Sequence, residues 1–135
     1  MNKDTFKSIG AVLAGLVFIG ITHSAIDAIL EGVGVLPKGH LNVGTGLILF
    51  VILYRAIFSL AGCYLTAKLS PKDPLKHSLI LGGIGTVLSA VGAIVTANMN
   101  IAPPWYGWTL VIMSLPIAWI AGKLYLQRNK NILSA

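Results

Sequence analysis

Charge is what this sequence lacks. Only 10% of its 135 residues are charged, and only four are acidic: Asp4, Asp27, Glu31 and Asp73. A soluble chain of ordinary composition carries about 25% charge, so this one has too few polar residues to cover a core in water. Cysteine is nearly absent as well. Cys63 stands alone, which excludes an intrachain disulfide and any paired-thiol motif. It reads as a small packing residue facing other helices. There is no nucleophile elbow, no phosphate loop and no HExxH. Gly82-Gly83-Ile84-Gly85 lies inside an apolar run, so it is not a phosphate cradle. An enzyme is not expected, and neither is a cofactor. The basic residues form no cluster with interleaved aromatics, which argues against nucleic acid as a partner.

What is present is apolar. Hydrophobic residues make up 56% of the chain, gathered in four runs at about 9–30, 43–67, 75–97 and 106–126. Each is about as long as the roughly 20 residues a helix needs to cross a bilayer core of ~30 Å. In lipid the backbone must satisfy itself within each segment, which helices do. The connections are short, so successive helices are antiparallel neighbours. The expected fold is therefore all-α: a single transmembrane up-down four-helix bundle, with the lipid bilayer as its first partner. No internal repeat or low-complexity segment interrupts it.

The ten basic residues orient it. Placing the N-terminus, the second connection and the C-terminus on one side gathers Lys3, Lys7, Lys68, Lys72, Lys76, Lys123, Arg128 and Lys130 there. The other side holds only Lys38, and Arg55 lies within a span. By the positive-inside rule, both termini are expected in the cytoplasm. Lys3 and Lys7 ahead of an apolar run imitate a signal peptide. The run is too long for an h-region and has no small-x-small site around 24–28, so it reads as a retained helix.

Helix ends are marked by turn residues. Pro37, Lys38 and Gly39 break the first connection, and Asn42 is placed to cap the second helix. Ser70-Pro71 ends that helix. Asp73 suits an N-cap, with Pro74 at the first helical position. Asn98, Asn100 and Pro103-Pro104 form the third connection, and Trp105, Tyr106 and Trp108 read as an interfacial aromatic belt. Pro116, mid-span, is expected to kink the last helix and free a carbonyl. The third helix is rich in small residues. Gly82, Gly85, Ser89, Gly92 and Ala93 read as a close-packing stripe, within the monomer or at a dimer interface. That helix is expected to be the most enclosed.

The polar residues inside the spans carry the functional information. Arg55 sits near the middle of the second span, where an arginine costs roughly 2.5–3.5 kcal/mol on insertion scales. It must face the bundle interior or an aqueous cavity, and Ser59, Cys63 and Thr66 extend a mildly polar stripe from it. His23, Asp27 and Glu31 recur every fourth residue and share one face of the first helix. Asp27, within a turn or so of the outer end, is the only acidic residue within a span. An Arg55 contact with helix one, direct to Asp27 or through His23 or water, is expected, with carbonyls freed by Pro116 as the rival. A carboxylate beside a histidine holds its tautomer or relays a proton. A metal site is not expected, because only His40 is near enough to add a ligand. His77, in the first turn of helix three, reads as an interfacial residue.

The stretch from Arg55 to His77, with Pro104-Trp105-Tyr106 and Leu115-Pro116-Ile117-Ala118-Trp119, resembles a widespread group of small bacterial integral membrane proteins with four predicted helices and no assigned activity. The resemblance runs from about Asp27 to Lys123. It implies a bacterial inner-membrane location and brings no catalytic residues. Two functions remain. One is a non-catalytic membrane component, alone, as a homo-oligomer or as an accessory subunit of a larger membrane complex. The other is a small transporter or channel for an ion or small solute, using Arg55 and the His23/Asp27 face. The surroundings of Arg55 separate them: a dry ion pair favours the first, and an open cavity the second.

Overall fold

The computed structural model describes residues 3–38 and 42–134, with side chains as far as Arg128. Gly39 and His40, and the side chain of Lys130, lie outside the described residues. Four helices fill the chain: α1 (Lys3–Gly32), α2 (Thr45–Leu69), α3 (Pro74–Met99) and α4 (Pro104–Ser134). No strand occurs among the described residues. All four are long and apolar enough to cross a membrane. Each runs beyond its apolar stretch, because Lys3, Lys7, Lys68 and Arg128 continue the helices as polar end turns.

Helix ends follow backbone rules more than side-chain caps. α1 closes in a Schellman turn. The Val35 N–H donates to Leu30 O at 2.9 Å and the Gly34 N–H to Glu31 O at 3.3 Å, with Gly34 at φ +84°. α3 ends the same way, with Asn100 at φ 57° in the left-handed position and Ile101 N–H donating to Thr96 O. Asp73 takes the N-cap position of α3 at φ 50° with Pro74 following, but its side chain makes no capping bond. Its carbonyl instead accepts from the His77 N–H at 3.2 Å. Asn42 does not cap α2, whose N-cap is Gly44. Asn42 Nδ2 donates to Asn100 O at 2.8 Å, tying the first connection to the third.

The helices pair as two antiparallel hairpins. In the α1–α2 pair, Thr66 Oγ1 donates to Ala11 O at 2.8 Å. One turn along, a Cβ on Gly15 would lie 2.8 Å from Gly62 O. In the α3–α4 pair, Ser78 Oγ donates to Ala118 O at 2.5 Å, and Gly82, Gly107 and Gly122 press against Ala118, Ala93 and Leu75. Small residues allow this closeness, which is what holds helices together where lipid removes the hydrophobic drive. α2 runs parallel to α4, with Tyr54 and Tyr106 in one cluster and Tyr64 and Tyr125 paired at 5.6 Å further along both helices, and it packs on all three other helices. Among the described residues the α1 and α4 backbones do not come within 8 Å of each other, and α1 meets α3 over a short length only.

α2 is therefore the most enclosed helix, not α3. It buries Ile48, Val51, Tyr54, Gly62, Cys63, Thr66 and Ala67 among others. The small residues of α3 divide instead by face. Gly82 packs against Ala118. A Cβ on Gly85 would meet nothing nearer than Ser114 Oγ at 3.9 Å, and one on Gly92 nothing within 4 Å. The outer surface is apolar on every helix, with Leu13, Val17, Val87, Val91, Ile112 and Trp119 all exposed. A water-facing surface does not carry such a belt. The end where Ser8 meets His77 carries Lys3, Lys7, Lys68, Lys72, Lys76, Lys123 and Arg128, and the opposite end carries Lys38.

Two substitutions on α3 test this division. Gly82→Val forces a side chain into Ala118 and is expected to destabilise the folded protein by about 1–3 kcal/mol, the usual cost of overpacking. Gly85→Ala is expected to leave the melting temperature of detergent-purified protein unchanged. Equal effects of the two would show that both glycines are packed alike.

Candidate functional site

The α1–α2 register brings the intramembrane polar residues together. With the ends of the two apolar runs set level, Asp27 and Arg55 would lie roughly 12 Å apart along the axis, at ~1.5 Å per residue. The chain does not turn back at residue 30. It runs on through Gly32 and the Schellman turn, and Leu36 joins the apolar cluster of Ile48, Val51 and Tyr54. α2 is thereby raised, and Asp27 falls opposite Tyr54 and Arg55.

Asp27 is bound through both oxygens. The Tyr54 hydroxyl donates to Oδ1, and Arg55 Nη2 donates to Oδ2 in an ion pair. His23, one turn deeper, faces the other edge of the guanidinium. Its Nε2 lies 3.2 Å from Arg55 O, a pure acceptor, so this nitrogen carries the proton. Nδ1 is then an acceptor, placed 3.4 Å from Arg55 Nη1. Ser59 Oγ lies 3.4 Å from His23 Nε2. The guanidinium carbon also sits 5.9 Å from the Tyr54 ring centroid, at the edge of cation–π range. Arg55 thus takes the helix-one partner, and carbonyls near Pro116 play no part. α4 runs through Pro116 without a break, and the proline is exposed.

One donor is left over. Arg55 Nε is buried and has no hydrogen-bond partner among the described residues. Tyr106 approaches Arg55 from α4. It is 6% exposed and belongs to this site, not to an aromatic belt. Trp105 and Trp108, three residues apart on the outer face, remain exposed and fit that belt. Sequence reasoning missed both Tyr54 and Tyr106. The available signal was that a tyrosine buried in a span needs a partner for its hydroxyl.

The cluster borders a cavity of about 540 Å³. One wall is polar, formed by His23, Asp27 and Glu31 of α1 with Arg55 and Ser59 of α2. The other is made of small and apolar residues, among them Gly85, Ser89 and Gly92 of α3 and Leu110 of α4. The three small residues read from sequence as a packing stripe therefore line open space, because α1 stands away from α3 at this level. The Arg55 and Asp27 side chains remain 20% and 28% accessible, so the protein does not fully enclose the pair. Glu31 lines the same cavity one turn beyond Asp27, and no hydrogen bond or ion pair joins it to the cluster. His77 lies elsewhere. It is buried, with Nδ1 3.0 Å from Asp73 O and Nε2 2.8 Å from Ser8 Oγ, and it fastens α3 to α1 at the lysine-rich end.

The pair's strength is measurable. Asp27→Leu leaves Arg55 unpaired at depth and is expected to cost about 3–5 kcal/mol, the usual loss when one partner of a buried pair is removed. The double variant Asp27→Leu/Arg55→Leu is expected to recover most of that loss in denaturant titrations of detergent-solubilised protein. Additive losses would show that the two residues act independently.

Comparison with protein-family models, curated proteins and solved structures found no match, which leaves the ion-pair cluster and its cavity to carry the functional conclusion.

Proposed function

We propose that this chain is a multi-pass membrane protein that holds a small solute among its helices, as a non-catalytic binding or transport component. The observation that carries the reading is the cavity beside an accessible intramembrane ion pair. A purely structural link between α1 and α2 needs no void next to it. Apolar packing around the pair costs nothing extra in lipid, whereas about 540 Å³ of open space forfeits contacts. That volume lies within the range of small-molecule sites, which are mostly apolar with a few convergent polar groups. Gly85, Ser89 and Gly92 supply no side chain large enough to fill it.

The membrane reading rests on four long apolar helices and an exposed apolar belt. The cytoplasmic placement of both termini rests on the lysine-rich end, and the bacterial inner membrane on the resemblance read from sequence. Four helices rarely enclose a solute path alone, so a homo-oligomer or a larger membrane complex is the proposed working form. The accessory-subunit reading keeps one observation in its favour. Both oxygens of Asp27 are already satisfied within the protein, as a structural staple requires.

Two experiments test these readings. Ser89→Leu fills the cavity without touching the ion pair. At equal protein level and melting temperature, untargeted mass spectrometry of cells is expected to show a small molecule whose content changes with the wild type and not with the variant. Identical profiles for wild type, variant and empty vector would return the protein to the structural class. Alkaline phosphatase fused after Ala135 is expected to be inactive in a bacterial host. High activity would reverse the orientation.

A further inference from the structure

The cavity has a side entrance and an unbalanced charge. α1 and α3 meet near the lysine-rich end, where Ser8 reaches His77 and where a Cβ on Gly15 would lie 2.7 Å from Leu81 Cδ2. Beyond that point they separate. Gly20, His23 and Glu31 on α1 face Leu88, Ser89 and Gly92 on α3 across open space, and α1 makes no contact with α4 that closes the gap. Gly20 and Leu88 of the cavity wall are themselves exposed, beside exposed Ile21, Val87 and Val91, so the wall is continuous with the apolar belt on this side. A ligand using this door arrives from lipid and has an apolar body.

Its charge follows from the lining. Four groups of the cavity wall can carry a charge: His23, Asp27, Glu31 and Arg55. Arg55 is balanced by Asp27. His23 has its Nε2 proton directed at a backbone carbonyl and its Nδ1 facing a guanidinium, an arrangement that holds it neutral. Glu31 is left, one carboxylate with no ion-pair partner among the described residues. The wall therefore carries a net charge of about −1, between low-dielectric sides that focus its field. The C-terminal carbonyls of α1 lie beside it and add negative potential. An anionic headgroup would meet two carboxylates against one guanidinium that is already paired.

We propose that the cavity takes a lipophilic organic monocation, an amine, quaternary ammonium or phosphonium, with its charge near Glu31 and its apolar body against Leu88, Leu110 and the small residues of α3. The proposal rests on the solute-binding reading and narrows it to one ligand class. Glu31 is partly exposed and has no ion pair among the described residues, so neutralising it leaves the described helix contacts intact.

The probes are tetraphenylphosphonium and tetraphenylborate, which match in size and differ in sign, with anthracene as a neutral third. Binding is measured by equilibrium dialysis of purified protein in detergent against protein-free micelles, at low salt. Tetraphenylphosphonium is expected to bind saturably, at least tenfold more tightly than tetraphenylborate. Glu31→Gln is expected to weaken it at least tenfold, with an unchanged melting temperature, and Ser89→Leu to abolish it. Saturable binding of the borate or of anthracene equal to that of the phosphonium, or binding indifferent to Glu31→Gln, would overturn the cation assignment and leave the solute-binding reading standing. Phosphonium binding that survives Ser89→Leu would place it outside the cavity and overturn the assignment. Failure of all three probes to bind folded wild-type protein would overturn both.

Discussion

The Arg55–Asp27 ion pair fixes how the two halves of the α1–α2 hairpin meet, and most of the site follows from that meeting. A guanidinium and a carboxylate at this depth are each expensive alone, and with the Tyr54 hydroxyl and His23 both Asp27 oxygens and both terminal nitrogens of Arg55 find a partner. Sliding α1 along α2 by a single turn would part Asp27 from both Tyr54 and Arg55 and leave its own charge unpaired. The small-residue contact at Gly15 and Gly62 sets the same register from the other end of the hairpin. Packing and electrostatics thus specify one alignment, which is the condition for a single folded state.

A second constraint comes from the position of α2. It touches every other helix, while α1 reaches only α2 and one end of α3. The apolar clusters at either end of the bundle, one around Val51 and Tyr106 and the other around Leu81 and Ala121, are continuous enough to hold α2, α3 and α4 together. α1 closes the bundle at the lysine-rich end through Thr66, Ser8 and His77. It does not close the other end. The cavity is what this asymmetry leaves behind.

The helices were legible because a run of some twenty apolar residues has few structural interpretations. Arg55, Asp27 and His23 stood out for the same reason: a polar residue in such a run must be accounted for. Register was harder to read. It depended on a Schellman turn at Gly34 that carries the chain past the expected turning point, and on glycines that sequence alone does not assign to particular partners. The Gly85, Ser89 and Gly92 stripe shows the ambiguity. Small residues permit close packing and also permit empty space, and only the placement of α1 decides between them. Tyr106 was misread because a tyrosine beside two tryptophans looks interfacial. Its helical phase, one residue from Trp105 and two from Trp108, turns it inward.

The two charges of the pair lie 28 residues apart in the chain. In the membrane orientation proposed above, Asp27 leaves the ribosome ahead of Arg55 by those 28 residues. At ordinary rates of translation the interval is about 1.5–6 s. For that time Asp27 has no counter-charge, and it is tolerated because it lies within two turns of the helix end, close to water. Arg55, deeper in its own span, arrives when its partner is already in place. The order in which the ribosome emits the two residues thus spares the bilayer the costlier of the two lone charges.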